Sequence, residues 1–251
     1  MSATTPGTIP AHQRNGHHDP RDLTDWREHT RVFLQPIAAP SILGLFGFAG
    51  ATFIVATHLA GWYGTTRSPE YLFPFAAAFG GVAQFAAAMW AYRARDGLAT
   101  AMHGMWGSFW IAYGILNLLG AVGVLTLPTG TFTELGFWFL ALAAITASGV
   151  IAATAESLGL TGVLLTLAVG AGLLAVGYLT GGSGWLHTGG WVLIASAILA
   201  WYTASAMMIE STFGRVILPL GKPSKAANIP GRVAHQPIEF ELGEPGVRHG
   251  Q

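Results

Sequence analysis

Apolar residues run along this chain in long unbroken blocks, with none of the one-sided striping of a soluble helix. The blocks are Ser41–Tyr63, Tyr71–Tyr92, Leu98–Leu125, Phe132–Thr154, Leu158–Thr180 and Gly189–Thr212. Each holds about 20 residues or more, the length a helix needs to cross a hydrocarbon layer of about 30 Å. A membrane barrel would instead show strict alternation over about ten residues. These blocks are continuous and rich in Ala, Leu and Gly. The pattern predicts an all-α polytopic membrane protein with six transmembrane helices. Turn residues separate the blocks, as in Thr65-Thr66-Arg67-Ser68-Pro69, Arg95-Asp96-Gly97 and Pro128-Thr129-Gly130. The link around Glu156-Ser157 is very short, which predicts that helices four and five are antiparallel neighbours.

The flanks read differently. Residues 1–38 are polar, with Pro6, Pro10, Pro20, Pro36 and the pair His17-His18, and predict a mostly disordered tail. Within it, Asp22–Phe33 is expected to form a short surface helix with Trp26 facing the membrane. No apolar core opens the chain, so no cleavable signal peptide is expected. The six-helix domain is set at residues 39–214. A tail at 215–251 follows, where Pro219, Pro223, Pro230, Pro237 and Pro245 break any long helix.

Composition sharpens this picture. Only 10% of residues are charged and 52% are hydrophobic, with mean hydropathy +0.49. A soluble domain carries about 25% charged residues to hydrate its surface. The formal net charge is zero, which points to no nucleic acid partner. Cysteine is absent, which excludes disulfides and thiolate metal sites. With six spans, Arg14, Arg21, Arg27, Arg31, Arg93, Arg95, Arg215, Lys222, Lys225, Arg232 and Arg248 fall on one side and only Arg67 on the other. Lys and Arg favour the cytoplasmic side, so both tails are expected there, on a multi-pass protein of the cell membrane.

Ionisable residues in membrane helices flag function. Here they are few and near span ends: His58, His103, Glu134, Glu156, His187 and Glu210. No Lys or Arg lies mid-span, so a fixed cation for an anionic substrate is missing. A small solute handled by hydrogen bonds, as a protonated acid, fits this better. His58 and His187 read either as mouth residues on the non-cytoplasmic side or as interfacial histidines. Gln84, well inside helix two, reads as helix-to-helix glue or as a solute contact. Gly44, Gly47 and Gly50 are spaced by three in helix one and serve close packing, a narrow conduit, or both. Most tryptophans suit an interface belt, but Trp106 sits deeper, in Gly104-Met105-Trp106-Gly107-Ser108-Phe109-Trp110. Neither a nucleophile elbow, a phosphate loop, a paired-carboxylate motif nor a His-x-x-His spacing occurs in the spans. No enzyme activity, metal or cofactor is expected.

Several segments together resemble the acetate uptake (succinate–acetate) transporters, the GPR1/FUN34/YaaH family. They are Phe213-Gly214-Arg215-Val216-Ile217-Leu218-Pro219-Leu220-Gly221, Gly80-Gly81-Val82-Ala83-Gln84, Gly107-Ser108-Phe109-Trp110, and His187 leading to Gly190-Trp191. The resemblance spans about Pro40 to Gly221. It implies six helices per protomer, a homo-hexamer, and one conduit within each protomer for acetate and similar small monocarboxylates, and for succinate besides. The family's helix-one signature, Asn-Pro-Ala-Pro-Leu-Gly-Leu, is here Ala39-Pro40-Ser41-Ile42-Leu43-Gly44-Leu45. The Asn and the second Pro are missing, so the Asn contact is not carried over. The family's Phe, Tyr and Leu constriction falls on Phe48, Trp106 and Leu167, with Trp in place of Tyr. Where the family tends to place a Glu after helix two's Gln, this chain has Ala91.

The implied substrate pathway takes in Pro40, Leu43, Gly44 and Leu45 on helix one, with Ala200 on helix six. Hydrogen-bonding groups from Thr52, Gln84 and Ser108 flank the constriction. His58 and His187 form the mouth. Two other functions compete: a channel for urea or short amides, and a membrane sensor or scaffold with a vestigial conduit.

Overall fold

The computed structural model describes residues 37–223. The expected tail helix at Asp22–Phe33, and most of both tails, lie outside the described residues. Six helical rods carry the described chain: α1 (Pro40–Leu59), α2 (Ser68–Ala94), α3 (Gly97–Ala121), α4 (Thr133–Ala153), α5 (Leu158–Thr180) and α6 (Ser183–Phe213). Five of them are long and apolar enough to cross a membrane. The one outside that group is α3, which has the length but spends it on His103, Ser108, Asn117 and a run of glycines and aromatics.

Local chemistry sets the ends. Pro opens α1 and stands at the first turn of α2, where its missing N–H costs nothing. Asp96 caps α3 by accepting the Ala99 N–H at 2.8 Å, and Ser157 caps α5 by accepting the Leu160 N–H at 3.2 Å. Gly181 and Gly214 close α5 and α6 in the left-handed conformation, with φ of 70° and 67°. The last helix begins at Ser183, six residues before the apolar block, and the link from α5 shrinks to Gly181-Gly182. Its first turns, Ser-Gly-Trp-Leu-His, are too polar to register as a continuation of the block, so His187 stands within the helix. At the other extreme, α3 stops at Ala121, and the apolar Val122–Leu125 runs on as exposed chain past Gly123, where φ is 77°.

The rods pack in a simple order. α1 lies against α6 and α2, α6 against α5, α5 against α4, and α2 against α3. The expected pairing of helices four and five is therefore present. The shared core includes Phe48, Trp106, Phe109, Phe139, Leu142, Val163 and Leu167. Outward faces carry large apolar side chains instead, such as Trp90, Trp138, Ile151, Leu158 and Trp201. An apolar exterior around a tightly packed interior is the distribution lipid favours.

Two features bring the helices close. Within α2, Pro74 removes a backbone donor, and the next residues, Ala76–Ala83, wind as a wider π-helix before α-geometry resumes at Gln84. Gly47 on α1 faces this segment so closely that a Cβ there would strike the backbone carbonyl of Phe79. One turn earlier, Gly44 leaves the space filled by the His103 ring of α3.

Beyond α6 the chain folds back over α5. Leu158 and Gly159 donate their N–H groups to the carbonyls of Gly221 and Leu220, at 2.9 and 3.0 Å. Tyr202 donates its hydroxyl to the Pro219 carbonyl at 2.8 Å, and the Lys222 ammonium pairs with Glu210 at 3.1 Å. The return segment thus supplies partners for two of the four N–H groups that open a helix.

Gly47→Val should be destabilising by about 1–3 kcal/mol, the cost of overpacking a rigid contact. Gly172→Ala, at a site where a Cβ meets nothing within 4 Å, should be close to neutral. Thermal unfolding of the detergent-solubilised variants checks the contrast.

Candidate functional site

Three helices each turn one stripe of side chains toward a common space. From α1 come Ser41, Leu45 and Phe48; from α3, Asp96, Ala99, Met102, His103 and Trp106; from α5, Leu160, Val163, Leu164 and Leu167. These spacings of three and four are single helical faces. Gln84 of α2 and Glu156 of the α4–α5 link complete the wall. The free volume is about 30 Å³, above the roughly 10–15 Å³ that a water needs. One end of the cavity, marked by Ser41, Asp96 and Glu156, lies at the same end of the bundle as the return segment. The other closes on Phe48, Trp106 and Leu167.

Those three side chains are 2–3% exposed, and all three line the cavity. The Phe48 and Trp106 rings meet edge-on, with centroids 6.4 Å apart and planes at 70°. Trp106 is held from behind. Its indole N–H donates to the Thr146 hydroxyl at 3.0 Å, and that hydroxyl donates to the Leu142 carbonyl at 2.6 Å. A helix-four threonine thus fixes the orientation of the largest ring in the group.

The other expected pathway residues divide. Leu45 and Gln84 line the cavity. Pro40 and Gly44 are buried beside it, Gly44 making room for His103. Thr52 is buried one turn beyond Phe48, and its hydroxyl has no partner. Ala200 is fully buried in α6, where that helix meets α5, and does not line the cavity. Leu43 and Ser108 do not line the cavity. Leu43 is 49% exposed on the outer face of α1. Ser108 is likewise exposed, its hydroxyl turned back onto the Gly104 carbonyl at 2.7 Å. Each stands on the opposite side of its helix from the lining stripe.

The two histidines expected at the mouth share the end of the bundle opposite Asp96. His58 Nδ1 lies 3.2 Å from the Tyr63 carbonyl, and His187 Nε2 accepts the Trp191 indole N–H at 3.3 Å. Trp62 and Trp191 meet edge-on between them, with centroids 5.3 Å apart. Each histidine keeps its own partner, and among the described residues no group of three or more metal-ligating side chains forms.

Sequence reasoning flagged Glu156 but missed its meeting with Asp96. Asp96 and Glu156 are far apart in the chain, yet both line this cavity. The available signal was positional: each acid sits in a short link on the side that carries the tails. Burial, reinforced by the Asp96 charge, pushes the Glu156 carboxyl up to about 7. Asp96 is also pushed upward, because its burial outweighs the Ala99 and Leu98 N–H groups that favour its charged form.

Apolar rods, an apolar exterior and a narrow internal cavity define a multi-pass α-helical membrane protein. The chain belongs to the GPR1/FUN34/yaaH family, whose pattern matches residues 27–221. It is similar to the succinate-acetate/proton symporter SatP of Escherichia coli strain K12, with 26% identity over 193 residues covering 74% of this chain and 96% of that protein. Acetate permease A of Emericella nidulans is 24% identical over 202 residues, covering 75% of this chain and 67% of the permease. Among solved structures, that of the bacterial acetate channel SatP superposes with a TM-score of 0.68 at 25% identity, covering 74% of this chain and 99% of that one.

The Glu156 shift has a consequence for stability. Unfolding returns the carboxyl from about 7 to its ordinary 4.5, so the native state holds the extra proton between those values. Stability contributed at this site is present at acid pH and is lost as pH rises through about 7. Glu156→Gln should therefore melt a few degrees above the wild type at pH 8 and close to it at pH 5, as read by thermal unfolding in detergent.

Proposed function

We propose that this protein is a membrane transporter or channel for acetate and similar small monocarboxylates, extending to succinate, and acts through the cavity within each protomer. The observation that carries the reading is the meeting of Phe48, Trp106 and Leu167 at the closed end of one narrow cavity. A hydrophobic constriction gates by excluding water, and a bare carboxylate there would lack partners. No Lys or Arg lines the described cavity to pair with one. The solute accordingly crosses as the neutral acid, with Gln84 and Thr52 offering hydrogen bonds on either side of the ring. The names borne by the bacterial and fungal relatives support the substrate class. Acid passage of this kind leaves the solute's carbon skeleton unchanged, so the protein is read as a transporter and not an enzyme.

In the same reading all six helices cross the cell membrane, α3 with His103 and Asn117 buried and the Ser108 hydroxyl satisfied on its own helix. Both tails lie in the cytoplasm, and protomers assemble as a homo-hexamer. A reporter active only in the cytoplasm should be active when fused after Gln251; a silent fusion, with signal instead from a reporter active only outside, would sink this topology.

Uptake by proteoliposomes tests the substrate. Labelled acetate should enter and compete with unlabelled acetate, whereas labelled urea should not. Preferential entry of urea would favour a channel for neutral amides. Trp106→Ala should widen the constriction, raise acetate flux several-fold and admit succinate more readily. A variant that folds normally with unchanged rate and range would remove Trp106 from the gate.

A further inference from the structure

Buried polar atoms without partners are uncommon in folded proteins. Of the five found among the described residues, three belong to the cavity wall, Asp96 Oδ2, Gln84 Oε1 and His103 Nδ1, while Thr52 Oγ1 and Trp110 Nε1 lie off it. Asp96 is only 8% exposed and His103 only 5%. Asp96 spends its Oδ1 on the cap of α3, which holds the carboxyl in place and leaves Oδ2 facing no donor. Glu156 lines the same mouth from the neighbouring link, near enough for the Asp96 charge to act on it. Two carboxylates in one poorly hydrated site do not both ionise readily, and a shared proton relieves the conflict.

We propose that Asp96 and Glu156 form a proton-holding pair at the mouth of the cavity, and that His103, two turns inward on α3, receives the hydrogen bond of the acid as it moves toward the constriction. The step balances simply. The O–H bond of the Glu156 carboxyl breaks, and its proton passes to a carboxylate oxygen of the arriving anion. A neutral carboxylic acid results, and Glu156 remains as a carboxylate beside Asp96 until a proton from water on that side restores it. The acid's O–H then meets an acceptor in His103 Nδ1. Movement in the other direction reverses each transfer. The inference rests on the transport reading above and adds to it the groups that load and unload the proton.

The surroundings leave this assignment distinct. α1 faces the pair with Ser41, and α5 with Leu160 and Val163, none of them ionisable. On α2 the wall residue is Gln84, and the cations of its last turns, Arg93 and Arg95, are exposed at this end. The remaining charged groups nearby are Glu210 of α6 and Lys222 of the return segment, which pair with each other.

Two measurements on the full-length protein test the pair. The first is infrared difference spectroscopy of the purified protein across pH, with no substrate present. The wild type should show a protonated carboxyl band that disappears near neutrality, and Glu156→Gln should lack it. The second is acetate uptake into proteoliposomes under an inward proton gradient. Glu156→Gln should lose the rise in uptake between pH 8 and 6, which titration of one group near 7 makes roughly tenfold in all. Asp96→Asn, which keeps the helix cap, should shift the profile toward acid pH, because the charge that helps raise Glu156 is gone. His103→Gln should lower the rate without moving the carboxyl band. A Glu156→Gln protein with the wild-type band and the wild-type pH profile overturns the proposal. If the wild type carries no acetate, the transport reading fails, and the infrared band alone then decides whether the pair holds a proton.

Discussion

A hydrocarbon surround offers no water to a stray hydrogen-bonding group, and the rest of this structure follows from that constraint. Backbone groups are satisfied inside the helices, so the exterior is free to be uniformly apolar. Threonine and serine hydroxyls in the rods turn back onto their own helix carbonyls, as in Thr57, Thr166 and Thr203. What remains unpaired is confined to the interior, chiefly along the cavity, where a passing solute or water can supply the missing partner. Three of the five unpaired buried atoms among the described residues thus lie on the cavity wall.

Close packing turns this constraint into a shape. Gly47 lets α1 lie directly against the π-wound part of α2, and Gly44 opens the space into which α3 projects His103. With α1 pinned on two sides, Phe48 has little choice of position. Trp106 meets it with an orientation fixed by Thr146 on a fourth helix. The constriction is therefore a joint product of α1, α3, α4 and α5, although α4 contributes no side chain to the cavity itself.

The sequence made the spans legible because length and continuity of apolar runs are strong signals. It made helix faces hard to read for the same reason. In α1 nearly every residue is apolar, so periodicity cannot tell Leu43, which faces out, from Leu45, which faces in. Ser108 misled in a related way: a hydroxyl in a helix can satisfy itself on the preceding turn and needs no passage to face. Phe48, Trp106 and Leu167 were found through family resemblance, and their convergence on one space is a tertiary fact. The π-wound stretch left only Pro74 as a trace. The meeting of Asp96 with Glu156 escaped because a pair made by folding has no spacing in the chain.

The return segment after α6 has a mechanical meaning. The opening N–H groups of α5 are spent on carbonyls of Leu220 and Gly221, while Tyr202 and Glu210 tether the same segment to α6. The first turn of α5 cannot tilt away without unfastening this clasp. The two helices, joined at the other end by the short Gly181-Gly182 link, are thus fastened to each other at both ends. Any movement that widened the path at Leu167 would have to carry both helices, and with them the point where the C-terminal tail leaves the bundle.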